Sequence, residues 1–362
     1  MANGRKPDMI SAGLSFSQHL SRNNFDLLRF LFAGTVCLVH ASRFSGYPQL
    51  AFIGHILESA WAVKAFFVVS GFLIFMSFER SASIYSYAGN RFRRIYPAYV
   101  TIVMLCALGL VFVSTKSVAD YFSVAWLKYV ISNLLFLNFL QLAPPGVFEA
   151  NIDHAVNGSL WTLKIEVMFY LMVPVFIYFF RRFSPLLVML LTYFLSLSYA
   201  SLLIELARDT HVKLYFELSR QLPGQLSYFM AGAFFYYYFH WFERWVGYFM
   251  LGAVLVFAVR VFYPVHLLEP FALATIVIFF GMFLYAGNFG KYGDFSYGLY
   301  IIHFPILQVL VWSTWFQGSP WYFLIVLICT SLLGSIVMWH LVEKRFLLRN
   351  NHYIAVEKAQ LK

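Results

Sequence analysis

The sequence predicts an all-α polytopic membrane protein with about ten transmembrane helices, one re-entrant or interfacial segment, and both termini cytoplasmic. Three observations carry this expectation. Of 362 residues, 61% are hydrophobic and 12% charged, against about 25% charged in a soluble domain. Several apolar runs reach the roughly 17–25 residues that cross a bilayer as helix. They are continuous rather than alternating, which excludes a membrane β-barrel. Finally, Lys and Arg gather in the short loops between runs, so the net charge of +10 reads as membrane topology and not as nucleic-acid binding.

Taken in order, residues 1–24 are polar and lack the apolar stretch of a signal peptide; they are expected to form a cytoplasmic tail. Residues 25–342 form the transmembrane domain and 343–362 a basic cytoplasmic tail. Apolar segments fall at 25–42, 58–78, 95–113, 126–142, 160–180, 184–204, 223–241, 245–262, 268–288, 295–315 and 321–342. The segment at 126–142 stands apart, because it is short and carries Lys128, Ser132, Asn133, Asn138 and Gln141. If it does not cross, sixteen loop cations lie inside and six outside; if it does, the numbers become ten and eleven. The positive-inside rule therefore favours ten crossings, with 126–142 re-entrant or in the outer interface. Cys37, Cys106 and Cys329 each lie alone in an apolar run, so neither a disulfide framework nor a metal site is expected.

Ionisable groups inside membrane spans are costly and mark sites or pathways. Arg29 and His40 lie eleven residues apart in the first span, about 16 Å along a helix and close to a whole number of turns, so they share a face. Glu166 falls seven residues into the segment that begins near Ser159, at a depth matching His40 if Ser159 marks the surface. An imidazole and a carboxylate at one depth suit a base and its orienting partner. Lys164 points elsewhere on the same helix. Arg91, Arg93 and Arg94 precede the third crossing; they serve as topological anchors and equally as a grip for phosphate. Ser296, Tyr300 and His303 form one polar stripe on an apolar helix. By spacing alone each of these groups also has a packing explanation: a snorkelling arginine, a core histidine, a neutral acid joining two helices.

Five motifs in order narrow the choice: Arg29-X10-His40, "AFFVVSGFLI", "RFRRIYPAY", "GSLWTLKIEVMFYLMVP" and "FSYGLYIIHFP". Together they resemble acyltransferase family 3, integral membrane proteins that O-acylate surface and exported carbohydrates of bacteria. The resemblance covers residues 25 to 310. It implies a ten-helix fold in the cell inner (plasma) membrane and no tightly bound cofactor. The donor substrate would be acyl-CoA, usually acetyl-CoA, at the cytoplasmic side. The acceptor would be a carbohydrate or lipid-linked glycan, with polysaccharide assembly proteins as compatible partners. It places His40 and Glu166 as catalytic residues and Arg29, Arg91, Arg93 and Arg94 on the donor phosphates. Ser159, Trp161, Tyr300 and His303 fall on the substrate side. Thr162 stands where the family pattern has a second Ser, and Lys64 precedes "AFF" where members often have a shorter polar residue. The competing class is a glycan transporter or flippase that uses His40, Glu166 and His303 as a proton relay.

Overall fold

The computed structural model describes residues 16–347, and among them there is helix but no strand. Most of the expected N-terminal tail (1–15) and of the basic C-terminal tail (348–362) lies outside the described residues. In chain order the longer helices are α1 (Phe25–Phe44), α2 (Ser59–Glu79), α3 (Ile84–Gly109) and α4 (Val124–Leu134). They continue with α5 (Trp161–Arg182), α6 (Pro185–Thr210), α7 (Leu222–Tyr237) and α8 (Val246–Arg260). The last three are α9 (Glu269–Met282), α10 (Ser296–Ser313) and α11 (Pro320–Met338). A π-turn, Trp339–Glu343, and a final turn, Lys344–Phe346, extend α11.

Among the described residues seven of these helices, α1, α2, α3, α5, α6, α10 and α11, are long and apolar enough to cross a membrane. The runs at 223–241, 245–262 and 268–288 fold as α7, α8 and α9, of 16, 15 and 14 residues, each shorter than a straight crossing needs. Pro223 and Pro270 stand in the first turns of α7 and α9 and set where those helices begin.

The doubtful run at 126–142 contributes α4, whose 11 residues extend about 16 Å and cannot cross a hydrocarbon core of about 30 Å. Its polar residues close the reversal that follows. Asn133 Nδ2 donates to Tyr129 O and Gln141 O, and Tyr99 Oη donates to Asn133 O. Val124, Leu127, Ile131 and Leu135 remain exposed along one flank of α4.

Chain contacts divide the molecule into two compact units. Among the described residues, the first gathers those up to Leu28, Lys64–Arg80 and Leu171–Phe289; the second gathers Arg29–Val63, Ser81–Tyr170 and those from Gly290 onward. In the first unit α2 and α7 approach to backbone contact. A side chain on Gly71 would strike the Phe229 carbonyl, and one on Gly232 would strike the Val68 carbonyl. In lipid, where tails are as apolar as leucine, such close packing replaces the hydrophobic effect as the force between helices. The rings of Phe234, Phe235, Phe242, Phe249 and Phe271 interlock in the same unit, which accounts for part of the 21% aromatic content. Lys64 is tied down here: its Nζ lies 3.0 Å from buried Glu269, which also accepts from Tyr228 and Arg260.

The second unit packs α1, α10, α11 and the short helix Ala51–Ile56 around Cys37, Ala41, Leu50, Ile53, Leu307, Phe323 and Leu327. Cys37 is thus a packing residue, as its apolar surroundings in the sequence imply. The predicted site residues lie in this unit.

Candidate functional site

Helix α10 is the spine of the site, and Pro305 inside it is the feature that shapes its surroundings. Proline has no N–H, so the carbonyl four residues earlier, that of Ile301, loses its helical hydrogen bond. Asn157 supplies the missing donor, with Nδ2 at 2.7 Å from Ile301 O. Its Oδ1 accepts from the Ser159 backbone N–H at 3.2 Å. Farther along α10, Gln308 Nε2 donates to Asp153 O and Ala155 O, both at 2.6 Å, and Asn151 Nδ2 donates to Gln308 Oε1 at 2.9 Å. Gly158 lies so close to the Phe304 ring that a β-carbon would collide with it. The segment before α5 is therefore folded inward, and Ser159 is 1% exposed.

Ser159 meets two histidines there. His303, wholly buried on α10, has Nδ1 at 3.0 Å from Leu299 O. A carbonyl only accepts, so Nδ1 carries the proton and, in the neutral ring, Nε2 is an acceptor. That Nε2 lies 3.0 Å from His40 Nδ1 and 3.3 Å from Ser159 Oγ. With both rings neutral, His40 Nδ1 donates to His303, and the lone pair of His40 sits on Nε2. The two rings stack at 5.2 Å, and Phe304 meets His40 edge-on at 5.2 Å. His40 is half-buried.

Glu166 is not brought to His40. Its Oε1 accepts from Tyr170 Oη at 2.6 Å. The depth expectation fails because it took Ser159 as the surface. With Ser159 already at the level of His303, Glu166 lies about 10 Å farther along α5. The side chain that pairs with His40 is instead His303, which the family resemblance places on the substrate side.

Hydroxyl groups continue the site along α5 and α10. Thr162 Oγ1 donates to Ser159 O at 3.0 Å, which commits its only proton. The 2.7 Å bond between Thr162 Oγ1 and Tyr300 Oη is therefore donated by Tyr300. Ser159 Oγ has no such prior commitment beyond His303. Trp161 opens α5 and is half-buried, while Lys164 lies 5.0 Å above the Phe139 ring.

The four arginines separate into two kinds. Asp294, just before α10, accepts through Oδ2 from Arg29 Nη2 at 3.1 Å and from Arg94 Nη2. Arg94 Nη1 also reaches Glu343 Oε2 at 3.3 Å, and the π-turn that ends α11 is what presents Glu343. Both carboxylates are 2% exposed. Burial pushes the Asp294 carboxyl up, but the Arg29 and Arg94 guanidiniums and the Ser296 hydrogen bonds outweigh it and hold it below the ordinary aspartate range. Arg91, by contrast, has no carboxylate partner among the described residues. It lies 5.7 Å over the Tyr170 ring, and its Nε is buried without an acceptor. Arg93 is exposed.

Asp294, Glu343, Asn157 and Gln308 belong to the site but were not read from the sequence. Asp294 stands immediately before the "FSYGLYIIHFP" motif, and a largely buried arginine at Arg29 calls for an anion at its own depth. Pro305 likewise announces a carbonyl in want of a donor. Nothing local signals Glu343, whose inward turn depends on the π-turn.

A hydrogen-bonded histidine pair with an adjacent serine, set among the helices of a membrane chain, is an arrangement of the kind that group-transfer enzymes use. The chain belongs to the acyltransferase family 3: the family's acyltransferase domain matches residues 22–340. It is similar to the "O-acetyl transferase" of Shigella phage Sf6, at 29% identity over 92% of this chain and 99% of the relative. It is also similar to "Nodulation protein 10" of Rhizobium leguminosarum bv. viciae, at 26% identity over 89% of this chain and 92% of the relative. No solved structure matches it significantly.

Proposed function

We propose that the chain is an O-acetyltransferase that moves an acetyl group from cytoplasmic acetyl-CoA to a hydroxyl of a surface or exported carbohydrate. Family membership and the name of the phage relative support the reaction class and the acetyl group. The loop charges support ten crossings of the inner membrane with both termini cytoplasmic, α7, α8 and α9 completing the set as short crossings. The observation that carries the mechanism is the bond from His40 Nδ1 to His303 Nε2.

In this reading His303, held by Leu299 O, fixes the tautomer of His40. His40 Nε2 then takes the proton of the acceptor hydroxyl as its oxygen attacks the thioester carbonyl. Ser159 Oγ donates to the oxyanion of the tetrahedral intermediate, since the Tyr300 proton is engaged by Thr162. Collapse breaks the carbon–sulfur bond, and His40 returns the proton to the departing thiolate. Arg91 and Arg93 meet the donor phosphates first, with Arg29 and Arg94 behind them in their carboxylate frame. Glu166 lines the donor side through Tyr170 and Arg91 instead of orienting His40, and Trp161 faces the sugar.

The test uses membranes that carry the host polysaccharide, supplied with radiolabelled acetyl-CoA. Alkali-labile label should appear on the polysaccharide, and His40→Ala should abolish it while the protein still inserts and folds. Movement of polysaccharide without label would favour a transporter. Full labelling by His40→Ala would discard the mechanism.

A further inference from the structure

We propose that Asn157 is a positioning residue of the acyl transfer: it fills the hydrogen bond that Pro305 removes from α10, and in doing so holds Ser159 against His303. The inference rests on the reading of the histidine pair given above and adds to it the device that sets the serine.

Asn157 is 8% exposed and makes two bonds of opposite kind. Its Nδ2 gives a proton to Ile301 O at 2.7 Å, and its Oδ1 receives one from Ser159 N at 3.2 Å. Each end of the primary amide thus has a single task. Aspartate lacks the donor, alanine lacks both groups, and glutamine is one methylene too long for a segment in which Gly158 already touches the Phe304 ring. Ile301 is available only because Pro305 stands four residues later. Two residues beyond Ile301 on the same helix is His303, whose Nε2 faces Ser159 Oγ at 3.3 Å. The amide therefore references the serine to the helix that carries the histidine, over a span of two residues on each side.

A positioning role separates from a packing role in the kinetics. Transfer of label from acetyl-CoA to polysaccharide is measured in membranes, with rates normalised to folded protein. Asn157→Ala should lower kcat by about tenfold or more while the KM for acetyl-CoA stays within about twofold, because misplacing a catalytic group by a fraction of an ångström slows chemistry without touching donor binding. Asn157→Asp, which keeps the acceptor for Ser159 N–H but loses the donor, should fall in the same direction. Pro305→Ala restores an N–H to Ile301 O. In that background Asn157→Ala should regain folded yield yet remain slow relative to Pro305→Ala alone. If Asn157→Ala does not accumulate, this double variant supplies the comparison. A kcat within about twofold of the matching parent overturns the proposal. His40→Ala, assayed alongside, separates the two levels: if it is inactive while Asn157→Ala is fully active, only the positioning role fails, whereas an active His40→Ala removes the underlying site.

Discussion

Asp294 accepts hydrogen bonds from Arg29 and Arg94 through the same carboxylate oxygen, so one buried acid joins α1 and α3 at the foot of α10. Removing one member of a buried ion cluster leaves the others charged and unmatched, at a cost of about 3–5 kcal/mol. This is why the expected donor-phosphate grip cannot be four equivalent arginines.

The Asp294 carboxyl titrates below its unfolded value, so it adds stability that is complete above about pH 4, the unfolded aspartate value. That stability is lost as the pH falls toward and through the lower folded value. Asp294→Asn removes the linkage. Thermal melts of purified protein should show the variant less stable than wild type at neutral pH, with the gap closing as the medium is acidified below about pH 4. A gap that is constant with pH would mean that the carboxylate charge is not what holds the two arginines.

Arg91 and Arg94 should respond differently to replacement by alanine. Arg94 is locked between Asp294 and Glu343, so its loss should lower melting temperature and folded yield. Arg91 has no such frame, and its loss should raise the acetyl-CoA KM by about tenfold with kcat little changed, the signature of a binding contact. Steady-state kinetics and melting curves on both variants check this, and equal behaviour of the two would remove the distinction.

His303→Ala should slow transfer by about a hundredfold or more at unchanged donor KM, because His40 would lose the partner that sets its tautomer. Ser159→Ala should cost more in kcat than Tyr300→Phe, whose proton is spent on Thr162. The reverse order would make Tyr300 the oxyanion donor.

The sequence was informative where side chains repeat along one helix. The face shared by Arg29 and His40 and the polar stripe of Ser296, Tyr300 and His303 follow from periodicity, which is a property of a single element. The pairing of His40 did not follow, because it depends on where a non-helical segment begins relative to the bilayer. Asn151, Asn157 and Gln308 draw that segment inward by hydrogen bonds over 144 to 157 residues of separation. Periodicity carries no information on bonds of that range. The lengths of α7 and α9 escaped for a related reason: hydropathy runs on past Tyr237 and Met282, where those helices end.

The notched contact between α2 and α7 limits how the first unit can deform. Each helix seats a carbonyl in the gap left by the other's glycine, at Gly71 and Gly232. Sliding either helix along its axis would carry those carbonyls off the glycines, the points on the two helices where no β-carbon stands in their way. The two notches therefore oppose shear between these helices, as a dovetail opposes sliding between two beams.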